Sequence, residues 1–138
     1  MSAGRYNIAL EQGTTFQLSF TWRAPATPQA RAADPKAVGP PIDLTGYTAK
    51  MQVRQKLSSV TPEHEFTTEN GGIVLGGELG TVTIQATAEE TASWSWGSAD
   101  TSQRMVGIYD LELVNSDGEV RRLLEGSFTV KREVTRDV

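Results

Sequence analysis

Every second residue of Phe16-Gln17-Leu18-Ser19-Phe20-Thr21-Trp22 is large and apolar, which puts Phe16, Leu18, Phe20 and Trp22 on one face of an extended strand. The same period of two returns in residues 47–54, with Tyr47, Ala49, Met51 and Val53 inward and Thr48, Lys50, Gln52 and Arg54 outward. In Thr81–Ala86 the apolar positions are Val82, Ile84 and Ala86. Residues 107–114 and 120–130 form two further runs around Asn115-Ser116-Asp117-Gly118, where an Asp-Gly step between β-patterned segments predicts a hairpin. Shorter strands are expected over Tyr6–Leu10, Glu63–Thr68 and Ile73–Leu75. About seven or eight strands at near-regular spacing read as an all-β chain, a sandwich of two antiparallel sheets.

Two segments break the alternation. Thr87-Ala88-Glu89-Glu90 has the capping-box order, in which Thr87 accepts from the Glu90 backbone and Glu90 reaches back, so one short helical turn is expected, ending by Trp96-Gly97. Residues 23–41 hold five of the six prolines, several alanines and no apolar period. Proline removes a backbone donor, so this stretch is excluded from a sheet interior and is expected to be a long loop. Its basic residues Arg23, Arg31 and Lys36 outnumber its one acid, Asp34.

Composition narrows the function classes. A chain of 138 residues fits a single domain, residues 1–138, with a core large enough to need no staple. It has no cysteine, which removes disulfides and thiol chemistry and fits a reducing compartment. No apolar run reaches the length of a membrane span, and the N-terminus lacks a signal-peptide pattern. The net charge of −4 argues against a general nucleic-acid binder. Arg121, Arg122, Lys131, Arg132 and Arg136 gather near the C-terminus, interleaved with Glu119, Glu125, Glu133 and Asp137, which reads as a solvated mixed-charge face.

No candidate chemistry assembles from the remaining residues. Gly71-Gly72-Ile73-Val74-Leu75-Gly76-Gly77-Glu78-Leu79-Gly80 is rich enough in glycine for a phosphate loop, but a strand follows it where a phosphate loop needs a helix, and Glu78 repels anions. Turns on either side of Ile73–Leu75 are the expected reading. His64, the only histidine, lies between Glu63 and Glu65; in a strand it points away from both, and an exposed strand histidine is expected. Asp110 and Glu112 share a strand face, as a calcium or acid–base pair requires, yet no further ligands accompany them and outward-facing charges are favoured. No nucleophile elbow supports a serine triad. No enzyme activity, cofactor or metal is expected. Trp94 and Trp96, spaced by two, suit either a sugar or partner contact or the end of the core.

Several segments together resemble a widespread type of small bacteriophage and prophage structural protein with an immunoglobulin-like fold, similar to the N-terminal module of phage baseplate upper proteins. They are residues 11–22, 41–54, 66–75 with 80–92, and 109–136; the most distinctive parts are Ile42-Asp43-Leu44-Thr45-Gly46-Tyr47, Tyr109-Asp110-Leu111-Glu112-Leu113 and Arg122-Leu123-Leu124-Glu125-Gly126. The resemblance implies a non-enzymatic virion component, made and assembled in the host cytoplasm, that is homo-oligomeric or present in several copies on the particle and links other tail, baseplate, connector, fibre or capsid proteins. The chain departs from that type in its insertion at 23–41 and in ending at Val138 without a coiled-coil or fibre region. The resemblance therefore implies a tail or fibre-anchoring adaptor, with a capsid decoration protein as an alternative; Trp94 and Trp96 themselves give a host-glycan-binding module as another. The expected partner contacts are Arg23, Arg31, Lys36, Trp94, Trp96, Arg132 and Arg136, with residues 23–41 and the segments 1–6 and 131–138 ordering against neighbours.

Overall fold

The computed structural model of the chain describes residues 3–97 and 103–135. Among them nine strands form two sheets around one hydrophobic core. The larger sheet contains β1 (Gly4–Arg5), β2 (Ile8–Glu11), β4 (Thr48–Arg54), β5 (His64–Thr67), β8 (Arg104–Val114) and β9 (Val120–Lys131). Its order is β1-β9-β8-β4-β5, with β2 also on β9. The smaller sheet has the order β3-β7-β6, from β3 (Phe16–Thr21), β6 (Ile73–Leu75) and β7 (Thr81–Ala86). Alternation decides which residues face inward. Ala49, Met51 and Val53 on β4 pair with Leu113, Leu111 and Tyr109 on β8, and all six are buried. Val82, Ile84 and Ala86 meet them from the smaller sheet. An aromatic cluster of Phe16, Phe66, Trp94, Tyr109 and Phe128 joins the sheets through edge-to-face and tilted ring contacts of 5.8–6.4 Å.

The two sheets are not wholly antiparallel. β1 and β2 run parallel to β9, the last strand, which period-two patterning cannot reveal because strand direction leaves the alternation unchanged. A bend at Tyr6-Asn7 separates them, and there the N-terminal backbone lies directly over Gly126, where a Cβ would fall on the Tyr6 carbonyl oxygen. The Tyr109 hydroxyl donates to that same oxygen at 2.7 Å. Burial, and secondarily Tyr6, push the Tyr109 phenol up to about 12, so the donor keeps its proton through the neutral range. Gly4–Arg5 thus has its place in the sheet, where the sequence reading expected residues 1–6 to order against a neighbour.

The capping box at Thr87 is formed in full and starts α2 (Ala88–Ser93), with Trp94 as C-cap. The expected loop at 23–41 contains a second helix, α1 (Pro28–Ala33), where Thr27 Oγ1 accepts from the Ala30 N–H and Pro28 occupies the first turn. The Ile42–Tyr47 motif is a turn with an anchor. Asp43 accepts from the Thr45 hydroxyl at 2.6 Å and the Thr45 N–H at 3.0 Å, while the Leu44 side chain is buried in the core. The glycines at 71–80 shape turns, as expected. Asn70 Oδ1 accepts from the N–H groups of Thr67 and Gly72, and Gly71 supplies the positive φ of 82° between them.

Candidate interaction surfaces

The outer face of the larger sheet is charged, and a single extra residue arranges it. The β8–β9 register shifts between Leu111 and Glu112, so that Leu111 pairs with Leu124 but Glu112 with Arg122. The residue left over is Leu123. Without that bulge Arg122 would point to the same side as Leu124; with it, Arg122 joins Asp110 and Glu112 on the outer face. Its guanidinium lies 3.3 Å from each carboxylate. A cation bound by Asp110 and Glu112 would have to displace that arginine. Partial burial raises the Asp110 carboxyl above its usual value, with Arg122 opposing. Arg54 donates to Gln52 and to the Ser59 carbonyl, each at 2.8 Å, and Gln52 donates to Glu65 at 2.6 Å. A groove of about 460 Å³ crosses this face, with Arg5, Arg54, Leu57, Ile108, Arg122 and Glu125 among its walls.

Trp94 and Trp96 do not lie on a surface. Both are 5% exposed, so neither presents a ring face to a sugar or a protein partner. The Trp94 ring packs on Phe66, Phe128 and His64, and the Trp96 indole N–H donates to the Val106 carbonyl at 3.2 Å. Arg132, expected as a partner contact, donates to the Trp96 carbonyl at 2.6 Å and so holds this segment to the end of β9. Gln12 works alongside it. Its side chain donates to the Trp94 carbonyl at 2.8 Å and accepts from the Glu133 N–H at 2.9 Å. Arg136 lies outside the described residues.

His64 is half-buried instead of exposed. It pairs with Val53, on the core-facing side of β5, with ring contacts of 4.5 Å to Phe66 and 4.7 Å to Trp94. Desolvation depresses its pKa below 6.5, with Glu90 and Glu65 acting in the opposite direction. The folded protein therefore binds this proton less readily than the unfolded chain. The resulting stabilisation is complete above 6.5 and is lost as pH falls from there through the lower folded value. Thermal melts stepped downward from that pH are expected to show this loss, and His64→Gln should lack that component.

The segment 23–41 projects from the sandwich on a closed base. Ala24 donates to the Pro40 carbonyl and Ile42 to the Trp22 carbonyl, each at 2.9 Å, and Arg23 pairs with Pro41 as an isolated bridge. The Arg23 guanidinium donates to the Gly39 carbonyl at 3.3 Å, which assigns it to the base. Beyond the base, Thr27 to Lys36 are all exposed and α1 buries none of its residues. Arg31 and Lys36 stand on this arm. Beside its base runs a cleft of about 400 Å³, where Trp22, Ile42, Tyr47, Val120, Arg121 and Leu123 come together. The period of two assigns Trp22 and Tyr47 to the core. Their strands end there, so both rings stay partly exposed.

Among the described residues no three or more His, Asp or Glu side chains converge as a metal site, and no buried side-chain N or O lacks a hydrogen-bond partner. No family model matches the chain, and no curated protein matches its sequence.

Proposed function

We propose that this chain is a non-enzymatic structural protein of a bacteriophage particle, an immunoglobulin-like module that acts as a tail, baseplate or fibre-anchoring adaptor through protein contacts. The arm at Thr27–Lys36 is the observation behind this reading. Six helical residues with no buried side chain obtain no tertiary support from their own sandwich, and an isolated helix of that length is marginal in water. A neighbouring protein that covers the arm would supply that support. The strand order adds to the immunoglobulin-like assignment. A sheet of β9, β8, β4 and β5 faces one of β3, β7 and β6, with strands of opposite sheets interleaved along the chain. The segments resembling phage proteins fall on β3, on the turn and strand leading through β4, on β6 to α2, and on the β8–β9 hairpin.

Quantitative mass spectrometry of particles separated into DNA-filled heads and detached tails tests the assignment. Enrichment with tails at a symmetric copy number is the expected result. Hundreds of copies with heads would replace it with a decoration protein, and absence from both would overturn it. Replacing Thr27–Lys36 by a short Gly-Ser link is expected to change unfolding stability by less than about 1 kcal/mol, since no helical side chain leaves a core. Incorporation into particles should drop sharply. Normal incorporation of the armless protein would remove the arm from the proposal.

A further inference from the structure

We infer that the free edge of β3 is a pairing site for β3 of a second copy of this chain, arranged antiparallel about a twofold axis at Ser19. Among the described residues β3 borders the smaller sheet and pairs only with β7. Trp22 donates to Gly80 in the continuation of that ladder, which fixes the parity: Phe16, Leu18 and Phe20 direct their backbone groups to β7. The N–H and C=O groups of Gln17, Ser19 and Thr21 therefore face outward from the sheet. A cleft of about 320 Å³ runs along this edge, between β3 and β2, walled by Ile8, Leu10, Thr15, Phe16 and Leu18.

The other edges are short or guarded by charge. β6 has three residues with glycines on either side, β5 carries Glu65 and follows Glu63, and the β1–β2 edge carries Arg5 and Glu11. β3 has six residues with no charge, no proline and no bulge. Its inward row also lacks a neighbour. Leu18 and Phe20 remain partly exposed, whereas their partners on β7, Ile84 and Val82, are fully buried.

The identity of the occupant follows from symmetry and charge. Paired residues in an antiparallel ladder share a face, so self-pairing must join inward to inward positions. Placing Ser19 opposite Ser19 does this, with Gln17 opposite Thr21 and Leu18 beside Phe20. In that register all three outward N–H groups and all three outward carbonyls of each copy find partners. No like charges face each other, because the strand has none. The result is one continuous sheet across two molecules. This inference does not depend on the phage assignment.

Sedimentation of the full chain over a concentration series tests it, together with Ser19→Lys. The Ser19 side chain is exposed and makes one hydrogen bond, to Thr83 at 2.8 Å, so the variant is expected to fold, as circular dichroism would verify. A reversible dimer is expected, with its dissociation constant raised at least about tenfold by the two opposed lysines. Because the chain has no cysteine, Ser19→Cys gives a second readout. Hydrogen-bonded antiparallel partners have Cα atoms about 5.5 Å apart, within disulfide range. Diamide should therefore link Ser19→Cys into dimers and leave Val74→Cys, on the far edge of the same sheet, unlinked. A chain that stays monomeric, or a dimer indifferent to Ser19→Lys, would overturn the inference.

Discussion

Phe66→Ala is expected to cost about 3–5 kcal/mol of unfolding free energy, the range for truncating a fully buried aromatic ring. The ring is fully buried and touches Phe16 of the smaller sheet, Phe128 of its own and Trp94 behind α2. Truncation removes the transfer free energy of the ring and leaves a cavity whose walls come from three directions, none free to collapse inward. Natural domains are stable by only about 5–15 kcal/mol, so the variant should sit near its folding threshold. Urea unfolding measures the loss directly. Phe66→Leu fills part of the same space, and its midpoint should fall between those of the native chain and the alanine variant. A cost for Phe66→Ala below about 1 kcal/mol would mean that the two sheets do not meet at this cluster.

Gly126→Val is expected to detach the N-terminal strands while leaving the rest of the sandwich folded. A Cβ at this position lands on the Tyr6 carbonyl oxygen, a backbone atom that cannot rotate aside. Relief requires the bend at Tyr6-Asn7 to lift from β9. That breaks the Tyr6 N–H bond to the Glu125 carbonyl and the Asn7 side-chain bond to the Ser127 N–H, and leaves the Tyr109 hydroxyl without its acceptor. Overpacking of this kind costs about 1–3 kcal/mol, and here the lost hydrogen bonds add to it. Hydrogen exchange would locate the damage. Amide protection should vanish from residues 5–11 and persist through β4, β7 and β8. Uniform loss of protection would show instead that β1 and β2 cannot separate from the remaining fold.

The long alternating segments were legible because one face of each is buried and the other wet. Met51, Val53, Val82, Ile84, Leu111 and Leu113 all point where the period places them. The Thr87 capping box was legible for a different reason, since both of its hydrogen bonds are local. His64 is a residue whose neighbours in sequence mislead. Its flanking glutamates imply a polar strand, and only the pairing of His64 with Val53 reveals that it faces the core. Arg122 does lie on a mixed-charge face as expected, but its pairing with Asp110 and Glu112 was not legible, because a bulge re-aims one residue without changing the pattern on either side. The helix at Pro28 did have a local signal, a threonine before a proline and an alanine-rich turn, which the density of prolines around it concealed. The tryptophans were ambiguous by nature. Spacing by two after a helix fits a surface pair as well as two anchors at the mouth of a core; the packing of Trp94 on Phe66 and Phe128, and the burial of Trp96 with its indole on the Val106 carbonyl, decide between them.

The parallel pairing of β1 and β2 with β9 has a mechanical consequence. The chain enters beside Leu124 and leaves beyond Lys131, at opposite ends of one strand pair. Tension between a neighbour holding the chain before Gly4 and another holding it after Lys131 would slide the two partners along each other. The evenly spaced bonds of a parallel ladder would then carry the load together, with the Tyr109 clasp in line with them. Tension on the turn at Asn115–Gly118 would instead open the β8–β9 ladder from its end, one bond after another. The sandwich is therefore stiff along one axis and yielding along another, and the direction in which neighbours pull decides the force at which it gives way.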